Sequence, residues 1–138
     1  MVIEEPSEKW EILICKKSIL ETKIFSSVLS KQYTSVDTAM TYHELRRKVM
    51  MNHYGMILFD LEMLEEEATS FLELIHEVEA AHHLGHIHTI MFVNPSENDP
   101  LFQPAFDTVL ANTISKAELE ALVSTYMKRY YKPIIYCA

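Results

Sequence analysis

The sequence predicts a doubly wound α/β domain, a five-stranded parallel sheet with helices on both faces. Two observations carry this. Short, continuously apolar runs alternate along the chain with longer segments of helical spacing, and strands covered on both faces read as such unbroken runs. The helical segments each carry an apolar stripe, which is what a helix needs to cover one face of a sheet. The resulting order, β-α-β-α-β-α-β-(short α)-β-α, requires a parallel sheet with right-handed crossovers.

The first run is Ile12-Leu13-Ile14-Cys15, and a weaker one from Thr34 to Ala39 reads as an edge strand. The third is Met56-Ile57-Leu58-Phe59, the fourth Thr89 to Val93 and the fifth Thr108 to Ala111. Between them Ile24, Phe25, Val28 and Leu29 share one helical face, as do Phe71, Leu74, Ile75 and Val78, and later Leu119, Leu122, Val123 and Tyr126. Helix starts are marked by three S/T-x-x-E patterns, Thr41 with Glu44, Ser70 with Glu73 and Ser115 with Glu118. In each, hydroxyl and carboxylate satisfy amides that the first turn leaves without partners. Gly85 suits the end of the third helix. The methionines, Met50 and Met51 included, read as core and gap filling.

A chain of 138 residues has room for one domain with a real core. We place it at residues 10–131, with residues 1–9 and 132–138 as tails or linkers. Hydrophobic residues make up 49% and charged residues 23%, which excludes a mainly disordered chain. A formal net charge of −8 disfavours binding to a phosphate backbone, so nucleic acid is not an expected partner. Cys15 and Cys137 are too few for a disulfide framework and fit a reducing, cytoplasmic setting. The acidic start, MVIEEPSEKWE, has no secretory pattern, and no apolar run is long enough to cross a bilayer. With Gly55 and Gly85 as the only glycines, neither a P-loop nor a dinucleotide-binding loop can be built.

In a doubly wound sheet, function gathers at the C-terminal edge of the strands. That edge carries Lys16 and Lys17 after the first strand, Asp60 after the third, Val93 and Asn94 after the fourth, and Asn112 after the fifth.

At these positions the sequence resembles the receiver domains of bacterial response regulators and hybrid histidine kinases, over roughly Trp10 to Tyr131. The segment YGMILFDLEM, Tyr54 to Met63, resembles the family's third strand ending in its phosphoacceptor aspartate. ILICKKSILETKIFSSVLSK resembles the first strand and helix, and DTVLANTIS the fifth strand and its exit. The resemblance implies the flavodoxin-like, CheY-like topology and matches Asp60 to the aspartate that accepts a phosphoryl group.

The departures from the family pattern bear on the chemistry. The acidic pair that holds magnesium in the family matches Lys16 and Lys17. The phosphoryl-sensing hydroxyl residue matches Val93, with Asn94 beside it, and the lysine ending the fifth strand matches Asn112. The aromatic switch position on that strand matches Val109. Magnesium needs several hard oxygen ligands, and phosphoryl transfer relies on it to neutralise the transferring group. Ammonium groups repel magnesium, so no cofactor is expected and magnesium binding is predicted lost or weak. A lysine within reach of Asp60 would instead stabilise its ionised form as a fixed internal pair. The stretch NPSENDPLFQPAFD carries Pro95, Pro100 and Pro104 and leaves room for a turn or two of helix, a shortened fourth helix.

His82, His83, His86 and His88 lie between the third helix and fourth strand, at the edge of the sheet away from Asp60. Imidazole is a common metal ligand. Histidines this close in sequence seldom converge on one ion, and no metal site is assigned to them at this level. Glu65-Glu66-Glu67 reads as helix-dipole complementarity at the start of the third helix. Tyr126, Tyr130 and Tyr131 fit either the buried end of the last helix or a contact with a preceding domain or a second copy.

The leading reading is an atypical receiver in two-component or phosphorelay signalling, part of a hybrid sensor kinase or response regulator. It acts as a protein-interaction module through its last strands and final helix, with Asp60 phosphorylation weakened or lost. Its partners are proteins, a cognate kinase, adjacent domain or downstream regulator, with a homodimer as one arrangement. It is read as no enzyme beyond autophosphotransfer to Asp60. The alternatives are a phosphorylation-competent receiver with an altered metal site and, from a different class, an aspartate-nucleophile phosphohydrolase using Asp60 and Glu62. The last lacks the hydroxyl such enzymes place two residues after the second carboxylate, where Leu64 stands.

Overall fold

The computed structural model describes residues 12–33, 35–64, 67–82, 86–94 and 106–130. The elements are β1 (Ile12–Cys15), α1 (Ile19–Leu29), β2 (Val36–Thr38), α2 (Tyr42–Met51), β3 (Met56–Asp60), a 3₁₀ turn (Leu61–Leu64), α3 (Ala68–His82), β4 (His88–Val93), β5 (Thr108–Ala111) and α4 (Lys116–Tyr130). All strand pairings are parallel, in the order β2-β1-β3-β4-β5. This is the doubly wound sheet the sequence predicts, with the weak strand at an edge. The expected short helix before β5, the two tails and Gly85 lie outside the described residues.

The strand side chains divide between two cores by their period of two. Leu13, Cys15, Ile57, Phe59, Met91 and Val93 pack with Tyr42, Leu45 and Val49 of α2 and Phe71, Leu74, Ile75 and Val78 of α3. Ile12, Ile14, Met56, Leu58, Ile90 and Phe92 pack with Leu29 of α1 and Leu119 and Val123 of α4. Each of these fully buried aliphatic or aromatic side chains contributes about 1.5–3 kcal/mol.

Helix starts follow the expected caps with one correction and one addition. Thr41 accepts from the Glu44 amide at 3.1 Å, and Ser115 and Glu118 form the full reciprocal box at 3.1 and 2.9 Å. Ser70 does not open α3, which begins at Ala68 with the Phe71 amide bonded to the Glu67 carbonyl. Ser18, three residues before Glu21, caps α1 by accepting the Glu21 amide at 3.2 Å. Met50 and Met51 are corrected as well: they are 48% and 67% exposed, because the buried stripe of α2 is Tyr42, Leu45 and Val49.

Asp37 joins the edge strand to the rest. Its carboxylate accepts from Lys48 Nζ at 2.9 Å, the Tyr54 hydroxyl at 2.8 Å and the Thr38 amide at 2.8 Å. Burial pushes the Asp37 carboxyl up, but the hydrogen bonds from Lys48, Tyr54 and Thr38 outweigh it and hold it below its ordinary value of 3.8. A carboxyl lowered on folding adds stability that is fully present above the unfolded value and is lost as pH falls towards the folded one. Urea midpoints measured from pH 5 down to pH 2 are therefore expected to fall less steeply in Asp37→Asn than in wild type.

Candidate functional site

The C-terminal ends of β1 and β3 meet at the switch point of the sheet, where the chain winds from one side to the other. Register determines what meets there. Cys15 is opposite Phe59 and Phe92 is opposite Asp60, so the residues ending the next step, Lys16 and Asp60, fall side by side. Period two continues Ile12 and Ile14 into Lys16, and Met56 and Leu58 into Asp60, on the face covered by α1 and α4.

Lys16 is 1% exposed and its Nζ lies 2.7 Å from Asp60 Oδ1. The Asp60 carboxylate, itself 5% exposed, accepts the Lys17 backbone amide on Oδ2 at 2.6 Å. Two aromatic faces flank the ammonium, Phe92 at 4.0 Å and Phe25 at 4.7 Å from ring centroid to Nζ. These rings meet each other edge to face at 5.6 Å. Glu21 Oε1 approaches the same ammonium at 3.7 Å from the first turn of α1. A buried charge is tolerated only when paired and hydrogen-bonded, and here each partner supplies that for the other. The side chain of Lys17 turns away, to Glu62 Oε1 at 3.4 Å, and both ends of that pair are largely exposed.

The expected lysine–aspartate pair is therefore present, made by the side chain of Lys16 and the backbone of Lys17. A cleft of about 360 Å³ lies above it, lined by Lys17, Ser18, Glu21, Asp60, Glu62 and Asn112. Val93 is buried at the end of β4, its carbonyl accepting the Asn112 amide at 3.0 Å, and Asn94 is exposed beyond it. Val109 is half-buried against the α2–α3 core, on the opposite face from Lys16. None of Val93, Val109 and Asn112 brings a hydroxyl, aromatic ring or ammonium to Asp60. The Phe25 and Phe92 faces around Lys16 escaped the sequence reading. Strand alternation marks Phe92 as facing α1, but the contact with Phe25 depends on how α1 is rotated over the sheet.

Cys15, one residue before the pair, is fully buried, and its thiol is pushed up to about 12 by burial and then by the charges of Asp60 and Glu44. A thiol so far from ionising is an inert core residue.

The side chains of Lys16 and Lys17 offer a cation no oxygen ligand. A hard cation needs several converging oxygens, and Asp60 Oδ1 is already paired with the Lys16 ammonium at 2.7 Å. The other carboxylates of the cleft, Glu21 and Glu62, each face a lysine as well.

No family model and no curated protein matches the chain. Solved structures do. A response regulator receiver domain (CheY-like) from Methylobacillus flagellatus superposes with a TM-score of 0.64 at 18% identity, covering 86% of this chain and 98% of that one. The fold is that of a response-regulator receiver domain. The chemotaxis response regulator CheY4 of Vibrio cholerae gives a TM-score of 0.66 at 16% identity over 86% of this chain and 98% of its own. The beryllofluoride-activated NtrC4 receiver domain dimer gives 0.71 at 18% identity over 87% and 98%. The receiver fold thus spans nearly the whole described chain, and Asp60 ends its third strand. Among the described residues no helix is long and apolar enough to cross a membrane.

Proposed function

We propose that this chain is an atypical receiver domain of a two-component or phosphorelay protein, a hybrid sensor kinase or response regulator. It serves as a protein-interaction module in which phosphorylation of Asp60 is weakened or lost. The observation that carries this reading is the buried Lys16–Asp60 pair, which puts an ammonium group where a phosphotransfer site needs a metal. An aspartate already neutralised by a buried lysine and without magnesium ligands is a poor nucleophile towards a phosphodonor.

The partner surface lies at the end of the sheet and on α4. A groove of about 360 Å³ between the exit of β5 and the start of α4 is lined by Leu110, Ala111, Thr113, Ile114, Glu118 and Leu122. Its mixture of aliphatic side chains with a polar margin suits a protein contact. The NtrC4 receiver, whose fold this chain shares, is a dimer, and a homodimer is one form the contact can take.

The test is intact mass after incubation with a small phosphodonor and magnesium, on wild type and Asp60→Asn, with circular dichroism checking that both are folded. The expected result is no phosphoryl adduct on either protein. A stoichiometric adduct on wild type that Asp60→Asn abolishes would overturn the reading and make this a working receiver.

A further inference from the structure

At the opposite end of the sheet from Asp60, β4 begins at His88 and β5 is entered from Asp107. The structure brings two of the four clustered histidines together there with a carboxylate that no sequence pattern connects to them. The ligand atoms of His86, His88 and Asp107 lie within 4.8 Å of one another. His83 and the side chain of His82 lie outside the described residues. We propose that His86, His88 and Asp107 form a binding site for a divalent transition-metal ion of the zinc class.

The donor set is the first argument. Two imidazoles and one carboxylate suit zinc, copper, nickel or cobalt and not magnesium or calcium, which prefer oxygen ligands throughout. His86 and His88 are two residues apart at the entry of a strand, a spacing that sends both side chains to the same side. Three protein ligands with the remaining position open to water is a common zinc arrangement.

The supporting contacts are the second. His86 Nδ1 is 3.1 Å from Glu79 Oε2 on α3, and Glu79 is itself fixed by accepting the Ile87 amide on that oxygen at 2.6 Å. This is the carboxylate–histidine contact that sets which ring nitrogen faces a metal, and it leaves Nε2 directed at Asp107. Both Asp107 oxygens lie 2.8 Å from that Nε2. An ion bound to both groups at its usual bond lengths separates them by about 3.3 Å, so insertion asks for a widening of about half an ångström.

Asp107 is set in advance. Its Oδ2 accepts the Thr89 amide at 2.8 Å and the Thr89 hydroxyl at 3.1 Å, and its own amide donates to the Thr89 hydroxyl oxygen at 3.1 Å. His88 is held as well, stacked on Tyr126 of α4 with 3.9 Å between ring centroids, with Nε2 at 3.0 Å from the Thr108 hydroxyl. A bound ion would tie the entries of β4 and β5 to each other, with α3 behind His86 and α4 behind His88.

The probe is zinc alone, titrated into the whole chain in competition with a chromophoric chelator, with the cobalt(II) visible spectrum reporting coordination. Wild type is expected to take up one equivalent. His86→Ala and His88→Ala should each weaken uptake at least tenfold, and Glu79→Gln by about tenfold through the second carboxylate. His86 and Glu79 do not belong to either core, so His86→Ala and Glu79→Gln are expected to keep the wild-type melting curve. The surface variant His76→Ala and the Asp60→Asn variant should bind as wild type does. Absence of saturable uptake would overturn the proposal, and so would uptake that His86→Ala and His88→Ala both leave unchanged.

Discussion

Replacing Lys16 by methionine is expected to cost about 3–5 kcal/mol, the penalty for leaving a buried charge without its partner. Asp60 would keep the Lys17 amide at 2.6 Å but lose the ammonium at 2.7 Å, with almost no water able to reach it. Against a total stability of about 5–15 kcal/mol, that is a large fraction of the whole. The thermal midpoint should fall by roughly 10 °C or more. Removing the other partner is expected to cost less. In Asp60→Asn the ammonium still sits between Phe25 and Phe92 with Glu21 at 3.7 Å, and a desolvated cation over aromatic faces retains about 2 kcal/mol.

Replacing both partners by apolar residues, Lys16→Met with Asp60→Leu, should recover most of the loss, because the desolvation cost of both charges disappears with them. A double-mutant cycle on urea midpoints measures the coupling. Additive losses would show that the two side chains are not each other's main support, and would remove the structural ground for reading Asp60 as a fixed ion-pair partner. A large coupling has a functional implication. An internal pair of that strength makes the site part of the fold's framework, and a phosphoryl group arriving at Asp60 would have to break it.

How much of this was readable from the sequence depends on the range of each contact. The buried strands were legible because both faces are covered, so Ile12 to Cys15 and Met56 to Phe59 carry no polar residue. The Lys16–Asp60 pair was half legible. Alternation and parallel register place the two side by side, yet nothing local distinguishes Lys16 from Lys17, and the two side chains go to different acids. Ser70 misled because a serine three residues before a glutamate also occurs inside a first turn, where its hydroxyl has no cap to make. Met50 and Met51 misled because methionine suits a core, whereas their phase, directly after the buried Val49, puts them outside. The His86–His88–Asp107 grouping was out of reach because Asp107 arrives from the far side of a proline-rich stretch, and only the β4–β5 register brings it to Thr89.

The second large effect is expected at Phe59, the residue that precedes Asp60 and points to the other core. Its ring is fully buried and packs edge to face on Phe71 of α3 at 5.4 Å and on Phe106 before β5 at 5.3 Å. Phe59→Ala removes the transfer free energy of a whole phenyl ring and leaves a cavity among side chains held by the sheet and two helices, which costs about 3–5 kcal/mol. The two aromatic contacts lie at the upper end of that range because each contributes about 0.5–1.5 kcal/mol beyond area. Phe59→Leu keeps most of the volume and should lose clearly less, so the pair separates cavity cost from ring geometry. Urea denaturation of both variants checks this, with an unchanged dependence on denaturant showing that the unfolded state is the same. Because Phe59 and Asp60 face opposite cores, the loss should add to that of Lys16→Met to within about 0.5 kcal/mol. A strong coupling between Phe59→Ala and Lys16→Met would mean that the two cores are not independent, and that the ion pair is held in place by packing from the far side of the sheet.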